Sequence, residues 1–133
     1  MNKIRKALIS VYNKKDLKPL VNALSKYKID IISSGGTYKK IRRLGFKCIE
    51  LSKFTNTPEI LNGRVKTLHP KIYGGILNKR QNKKHSREIK KNNYENIDLI
   101  IVNFYPFEEA ISKKTNHKKI IENIDIGGPT MVR

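Results

Sequence analysis

Short apolar runs alternate with amphipathic stretches along most of this chain. Ala7, Leu8, Ile9, Ser10 and Val11 form the first such run, and Asp16 then precedes Leu17, Leu20, Val21 and Leu24 at helical spacing. The pattern predicts a strand and then a helix capped by Asp16. Pro19 falls in the first turn, where its missing N–H would have had no intrahelical partner. Residues 29–33 predict a second buried strand. Ser34, Gly35, Gly36 and Thr37 follow it directly, ahead of a helical pattern through Tyr38, Ile41 and Leu44 to Gly45.

Residues 46–51 predict a third strand, and residues 52–58 and 63–70 (GRVKTLHP) read as loops. Residues 71–77 predict a short helix weakened by Gly74 and Gly75, and residues 79–91 a strongly basic one whose only apolar residue of note is Ile89. Residues 98–104 (DLIIVNF) form a continuous apolar run of the kind buried on both faces of a parallel sheet. Pro106 is suited to the first position of a helix, with Glu108 and Glu109 in its first turn. Ile120, Ile121, Ile124 and Ile126 are core candidates. Asp125, Gly127, Gly128, Pro129 and Thr130 then make another glycine turn before a helix start.

At least three strand-to-helix passages imply an α/β fold, a doubly wound and mostly parallel sheet with helices on both faces. In such a fold the polar and glycine-bearing segments after the strands converge on one edge of the sheet. A glycine turn between a strand and a helix can close backbone amides on a phosphate, which makes Ser34, Gly35, Gly36 and Thr37 candidates. Arg64 offers a planar fork and Lys66 a point charge. Asn103 and Tyr105 stand at the carboxyl end of the last strand, and Asp125 adds a carboxylate.

Composition narrows the partners. With 133 residues and 38% hydrophobic content, one domain is expected. The net charge of +18 is compatible with a polyanionic partner, but Lys, Asn and Ile are plentiful together and Trp is absent, a bias that an A+T-rich coding sequence also produces. Residues 79–91 carry no aromatic to stack on a base, which favours a solvated surface helix over a nucleic-acid site. Cys48 is the only cysteine, so no intrachain disulfide or thiolate cluster is expected, and a reducing compartment fits. No apolar run approaches the roughly 20 residues of a membrane helix, and the amino terminus does not read as a signal peptide. A cytoplasmic protein without a membrane partner is expected. His69, His85 and His117 are scattered, so no metal site is expected, and His69 reads as a loop hydrogen-bonding residue.

Six segments occur in an order that is specific: residues 8–11 with Lys14, the turn at residues 34–37, Pro58 and Glu59 with GRVKTLHP, residues 74–77, residues 103–107 (NFYPF) and residues 123–133 (NIDIGGPTMVR). Together they resemble the amino-terminal domain of the bifunctional purine biosynthesis proteins, which carries IMP cyclohydrolase and is followed by an AICAR formyltransferase domain. The resemblance implies a fold like that of methylglyoxal synthase and dehydrating closure of 5-formamidoimidazole-4-carboxamide ribotide to inosine monophosphate (IMP), without a cofactor. It assigns Lys14, Ser34, Gly35, Gly36 and Thr37 to the phosphate, and Arg64, Thr67, Asn103, Asp125 and Ile126 to nucleotide contacts. Lys66 and Tyr105 become the pair that polarises the formyl oxygen, with Asp125 holding the carboxamide nitrogen or accepting its proton.

The chain departs from that family at Tyr12 and Asn13, where a serine and an aspartate are usual. The resemblance also implies a further helix bearing a lysine and a further strand after Arg133, with the transformylase domain beyond, and a homodimer for the complete protein. On that reading residues 1–133 are the cyclohydrolase domain without its last helix and strand, expected to be a poor catalyst of marginal stability. The alternatives are a methylglyoxal synthase, an inactive fragment that retains nucleotide binding, and a basic nucleic-acid-binding module.

Overall fold

The computed structural model describes residues 3–112 and 116–132. In chain order the elements are β1 (Lys6–Val11), α1 (Leu17–Lys26), β2 (Asp30–Ser33), α2 (Gly35–Arg43), β3 (Ile49–Glu50), α3 (Leu51–Thr55), α4 (Pro70–Leu77), α5 (Lys83–Lys91), β4 (Leu99–Asn103), α6 (Phe107–Ser112), α7 (His117–Glu122) and α8 (Gly127–Val132). The four strands form one sheet in the order β3-β2-β1-β4, and every pairing is parallel. Alternation along the strands divides the core in two. Ala7, Ile9 and Ile31 pack with Leu17, Val21 and Leu24 of α1 and Ile41 of α2. On the other face Leu8 and Ile32 pack with Leu51 and Phe54 of α3, Ile72 of α4, Ile97 and Met131 of α8. Helices therefore cover both faces, which is why β1 is apolar at consecutive positions. The expected doubly wound α/β architecture is present.

Several local expectations are corrected. The strand expected over residues 46–51 pairs only at Ile49 and Glu50, where it meets Ile32 and Ser33. Leu51, Phe54 and Thr55 lie at helical spacing and are buried, so the chain turns into α3 where a loop was expected. That helix ends at Asn56, which adopts a left-handed conformation at φ 56°. β4 is not buried on both faces: it lies at the sheet edge, and its residues are half-buried, with Asn103 exposed. Ile121, Ile124 and Ile126 are exposed and not in the core: the short α7 buries no residue, and Ile124 and Ile126 lie beyond its end, while Ile120 is half-buried. Asp16 occupies the cap position of α1 but its side chain makes no capping bond.

The basic helix α5 starts later than expected, at Lys83, and is capped by Asn82, whose side chain accepts from the amides of Lys84 and His85 at 2.9 and 3.2 Å. It buries no residue, as a solvated helix should. Among the described residues no helix is long and apolar enough to cross a membrane.

Two side chains pin β4 to β1. At the amino ends, Asp98 accepts from the amides of Arg5 and Lys6 at 2.8 and 3.1 Å and pairs with Arg80 at 3.0 Å. At the carboxyl ends, the Asn103 carbonyl oxygen accepts from the amides of Tyr12 and Asn13 at 2.6 and 3.0 Å, and its NH2 donates to the Asn13 carbonyl at 2.8 Å. The loop leaving β1 is thereby fixed against β4.

The glycines of α4 serve packing. A Cβ on Gly75 would stand 2.5 Å from the Glu95 carbonyl oxygen, and one on Gly74 would stand 2.9 Å from the Tyr94 ring. Only a bare backbone lets α4 approach residues 94–97 this closely. Gly75→Ala is predicted to lower stability by about 1–3 kcal/mol, the usual range for forcing a methyl into packed structure. Urea unfolding measures it, and an unchanged midpoint would contradict the packing argument.

Cys48 gives a second prediction. Burial pushes its thiol up to about 11, with Arg42 opposing and Glu50 adding to the rise. A raised value means less thiolate at neutral pH, and the thiolate is the nucleophile. Iodoacetamide at pH 7.5 should therefore modify the folded chain roughly tenfold more slowly than the urea-unfolded chain, since the greater nucleophilicity of a more basic thiolate offsets part of its lower population. Equal rates would show that the thiol is not shielded.

Candidate nucleotide site

The carboxyl ends of β1 and β4 and the first turn of α2 open on a cavity of about 530 Å³. Among the residues lining it are Lys14, Ser34, Gly36, Thr37, Arg64, Lys66, Thr67, Asn103, Tyr105, Asp125 and Ile126. Gly35 adjoins it, since a Cβ there would lie 3.7 Å from the Lys66 ammonium. The structure thus brings together every residue that the sequence nominated.

Its most distinctive part is the start of α2. Ser34 is extended at φ −133° and Gly35 is left-handed at φ +52°, a turn that glycine makes without a Cβ penalty. The amides of Gly35, Gly36 and Thr37 precede the first intrahelical bond, from the Tyr38 amide to the Ser34 carbonyl at 3.1 Å. Lys66 lies at Gly35. Lys14 lies at Gly36, its Nζ 3.8 Å from the Cβ position, and donates to the Tyr12 carbonyl at 2.8 Å. Two ammonium groups therefore sit at the positive end of a helix dipole, and no ion pair with either is found among the described residues. Such a cluster is electrostatically unfavourable until an anion joins it. The buried Thr37 hydroxyl donates to the Val11 carbonyl at 2.9 Å, which ties α2 to β1.

The GRVKTLHP segment is held at both ends. Ile60 and Val65 form an antiparallel bridge around a tight turn in which Leu61, Asn62 and Gly63 all have positive φ. This turn presents Arg64, whose guanidinium pairs with Glu122 of α7. Hydrogen bonding and charge from Glu122 raise the Arg64 pKa further above its already high value. Thr67 is buried, and its hydroxyl would be 2.5 Å from a Cβ on Gly127, so the loop packs directly on the start of α8. His69 caps α4, its Nδ1 accepting from the Lys71 amide at 3.1 Å. The ring proton then belongs on Nε2, which meets the Thr57 hydroxyl at 3.1 Å. His69 is a loop hydrogen-bonding residue, as the sequence indicated.

Across the cavity, Tyr105 packs edge-to-face on Tyr12, with ring centroids 5.3 Å apart and an interplanar angle of 69°. Asp125 accepts from the Gly128 amide at 3.0 Å and so caps α8 through one oxygen. Gly128 is confined in turn, because a Cβ there would meet the second oxygen of Asp125 at 2.8 Å and the Phe104 ring at 2.9 Å. Asn103 has its amide engaged by the β1 loop, which makes it a positioning residue in this state. Sequence reasoning did not nominate Glu122, Asn62, Ile121 or Ile124, all of which line the cavity. The signal for Glu122 was an acidic residue in a chain with 11 acidic and 29 basic residues, placed just before the IDIGG run. Among the described residues no group of three or more His, Cys, Asp or Glu could hold a metal ion.

This geometry can be set beside known proteins. The family model for the MGS-like domain matches residues 16–130. The bifunctional purine biosynthesis protein PurH of Fusobacterium nucleatum is 50% identical over 129 residues, which are 97% of this chain and 26% of that protein. PurH of Clostridium acetobutylicum is 48% identical over 130 residues, 98% of this chain and 26% of that protein. The chain thus spans about a quarter of the length of the curated relatives it matches. The crystal structure of ForH superposes with a TM-score of 0.78 at 28% identity, covering 97% of this chain and 66% of that one. A parallel sheet with its glycine turn, and a family model that spans nearly the whole chain, lead to one assignment: the chain belongs to the MGS-like domain family.

Proposed function

We propose that this domain binds a purine ribotide and closes 5-formamidoimidazole-4-carboxamide ribotide to IMP with loss of water. One observation carries the reading: the first turn of α2, flanked by Lys14 and Lys66, opens on the same cavity as the Tyr105 phenol and the Asp125 carboxylate. A phosphate monoester at that turn would meet free amides, the helix dipole and two ammonium groups together. The cavity volume lies in the range of small-molecule sites. Similarity to the PurH proteins, whose name places them in purine biosynthesis, supports the substrate class.

In the first step the carboxamide nitrogen attacks the formyl carbon. A C–N bond forms, and the formyl π electrons move to oxygen. The Tyr105 phenol and the Lys66 ammonium stabilise this developing oxyanion, a use of fixed donors that acts chiefly in the transition state. The nitrogen then loses a proton, for which the second oxygen of Asp125 is the acceptor, the first being held by the Gly128 amide. The oxyanion takes up a proton to become a hydroxyl; a second proton on that hydroxyl and loss of the proton on the former formamido nitrogen expel water and leave the C=N bond of the purine ring, while the former carboxamide nitrogen keeps its other proton. Thr37 and Asn103 act at a distance from the chemistry, holding α2 and the β1 loop in place. Phosphate binding thereby orients the ribotide for closure.

Two predictions separate binding from chemistry. Lys14→Ala should weaken IMP affinity, measured by calorimetric titration, by roughly tenfold or more, the scale of a lost charge-assisted hydrogen bond. Unchanged affinity would mean that the phosphate lies elsewhere. Tyr105→Phe should lower kcat by roughly tenfold or more while leaving IMP affinity within a factor of about three, as expected for one oxyanion donor. Loss of affinity without loss of turnover would contradict the assigned role.

A further inference from the structure

The Arg64–Glu122 pair links the 60–65 turn to the end of α7, and both residues line the cavity. Both are largely solvent-exposed, so the pair itself contributes little to stability. Its significance is its place among the site charges. Among the described residues, Lys14, Arg64 and Lys66 line the cavity against Glu122 and Asp125, and Asp125 is held by its cap on α8. With Glu122 in place the lining carries one surplus positive charge; without it there are two. A phosphate monoester at neutral pH carries a charge of about −1.5 to −2, which matches the second state.

We propose that Glu122 is an internal counter-ion, which occupies the Arg64 fork in the empty site and is displaced by the phosphate monoester of the ligand. The exchange makes Glu122 a specificity determinant. A carboxylate ligand brings nothing that Glu122 does not already supply, and it competes at a disadvantage with a group tethered beside the fork. A phosphate brings more charge and three acceptor oxygens, which suit the bidentate guanidinium. Arg64 and Lys66 line the same cavity, and the Lys66 ammonium lies at Gly35, so on this proposal the freed fork turns to an anion held at the start of α2. The proposal rests on the reading of this cavity as a phosphate-ligand site.

Ribose 5-phosphate is the appropriate probe, because it carries the phosphate without the purine. In calorimetric titrations of the whole chain, Glu122→Gln should tighten its binding about two- to fivefold, the fold-change equivalent of an exposed pair. Arg64→Gln should weaken binding, and Glu122→Gln added to Arg64→Gln should give no gain. Glu88→Gln on α5, outside the cavity, should change nothing. The proposal is overturned if Glu122→Gln leaves affinity unchanged, or if its gain persists in the Arg64→Gln background, where only a diffuse field effect remains. Lys14→Ala keeps the two readings apart. If it abolishes binding while Glu122→Gln does nothing, the counter-ion idea alone fails; if neither variant matters, the phosphate site itself is misassigned.

Discussion

The pairing of β1 with β4 is the constraint on which the site depends. The two strands are remote in sequence, and their register sets where the loop after β1 meets the end of β4. Asp98 fixes one end by accepting the amides of Arg5 and Lys6, and Asn103 fixes the other by bonding to Tyr12 and Asn13. A slip of one residue would turn every β4 side chain to the opposite face. It would also carry the Asn103 amide away from the loop that bears Lys14. Lys14 reaches α2 because this loop cannot drift, and Tyr12 meets Tyr105 for the same reason.

Around that frame the candidate anion site is built by close approach. Gly35 supplies a left-handed turn, Gly127 lets Thr67 lie against the start of α8, and Gly128 fits between Asp125 and Phe104. The backbone comes near enough for lysines from two different loops to share the first turn of α2. Concentrating cations there stores electrostatic repulsion, in the way binding sites commonly hold unfavourable charge until the ligand arrives. Arg64 differs from the two lysines in having Glu122 as its partner.

Much of this was legible in the residues. The alternation of strands and helices announced a sheet covered on both sides, and the glycine turn after β2 marked a candidate anion site. What the sequence obscured has physical causes. Residues 46–51 are apolar enough for a strand, yet Leu51 and Phe54 bury more by turning into α3. The isoleucines at 121, 124 and 126 are apolar because they line a cavity, and periodicity cannot distinguish cavity from core. Tertiary hydrogen bonds were hidden too: Thr37 and Asn103 could be nominated for the site, but that their polar groups face β1 and its loop emerges only once the strands are paired. Gly74 and Gly75 looked like helix weakness and are a close approach to residues 94–97.

The central claim is that the phosphate of a purine ribotide is held at the start of α2 between Lys14 and Lys66. A crystal structure of the chain with IMP bound tests it most directly. The account predicts phosphate oxygens within hydrogen-bonding distance of the amides of residues 35–37 and of both ammonium groups, with the base toward Tyr105 and Asp125. IMP bound with its phosphate away from that turn, or outside the cavity, would contradict it.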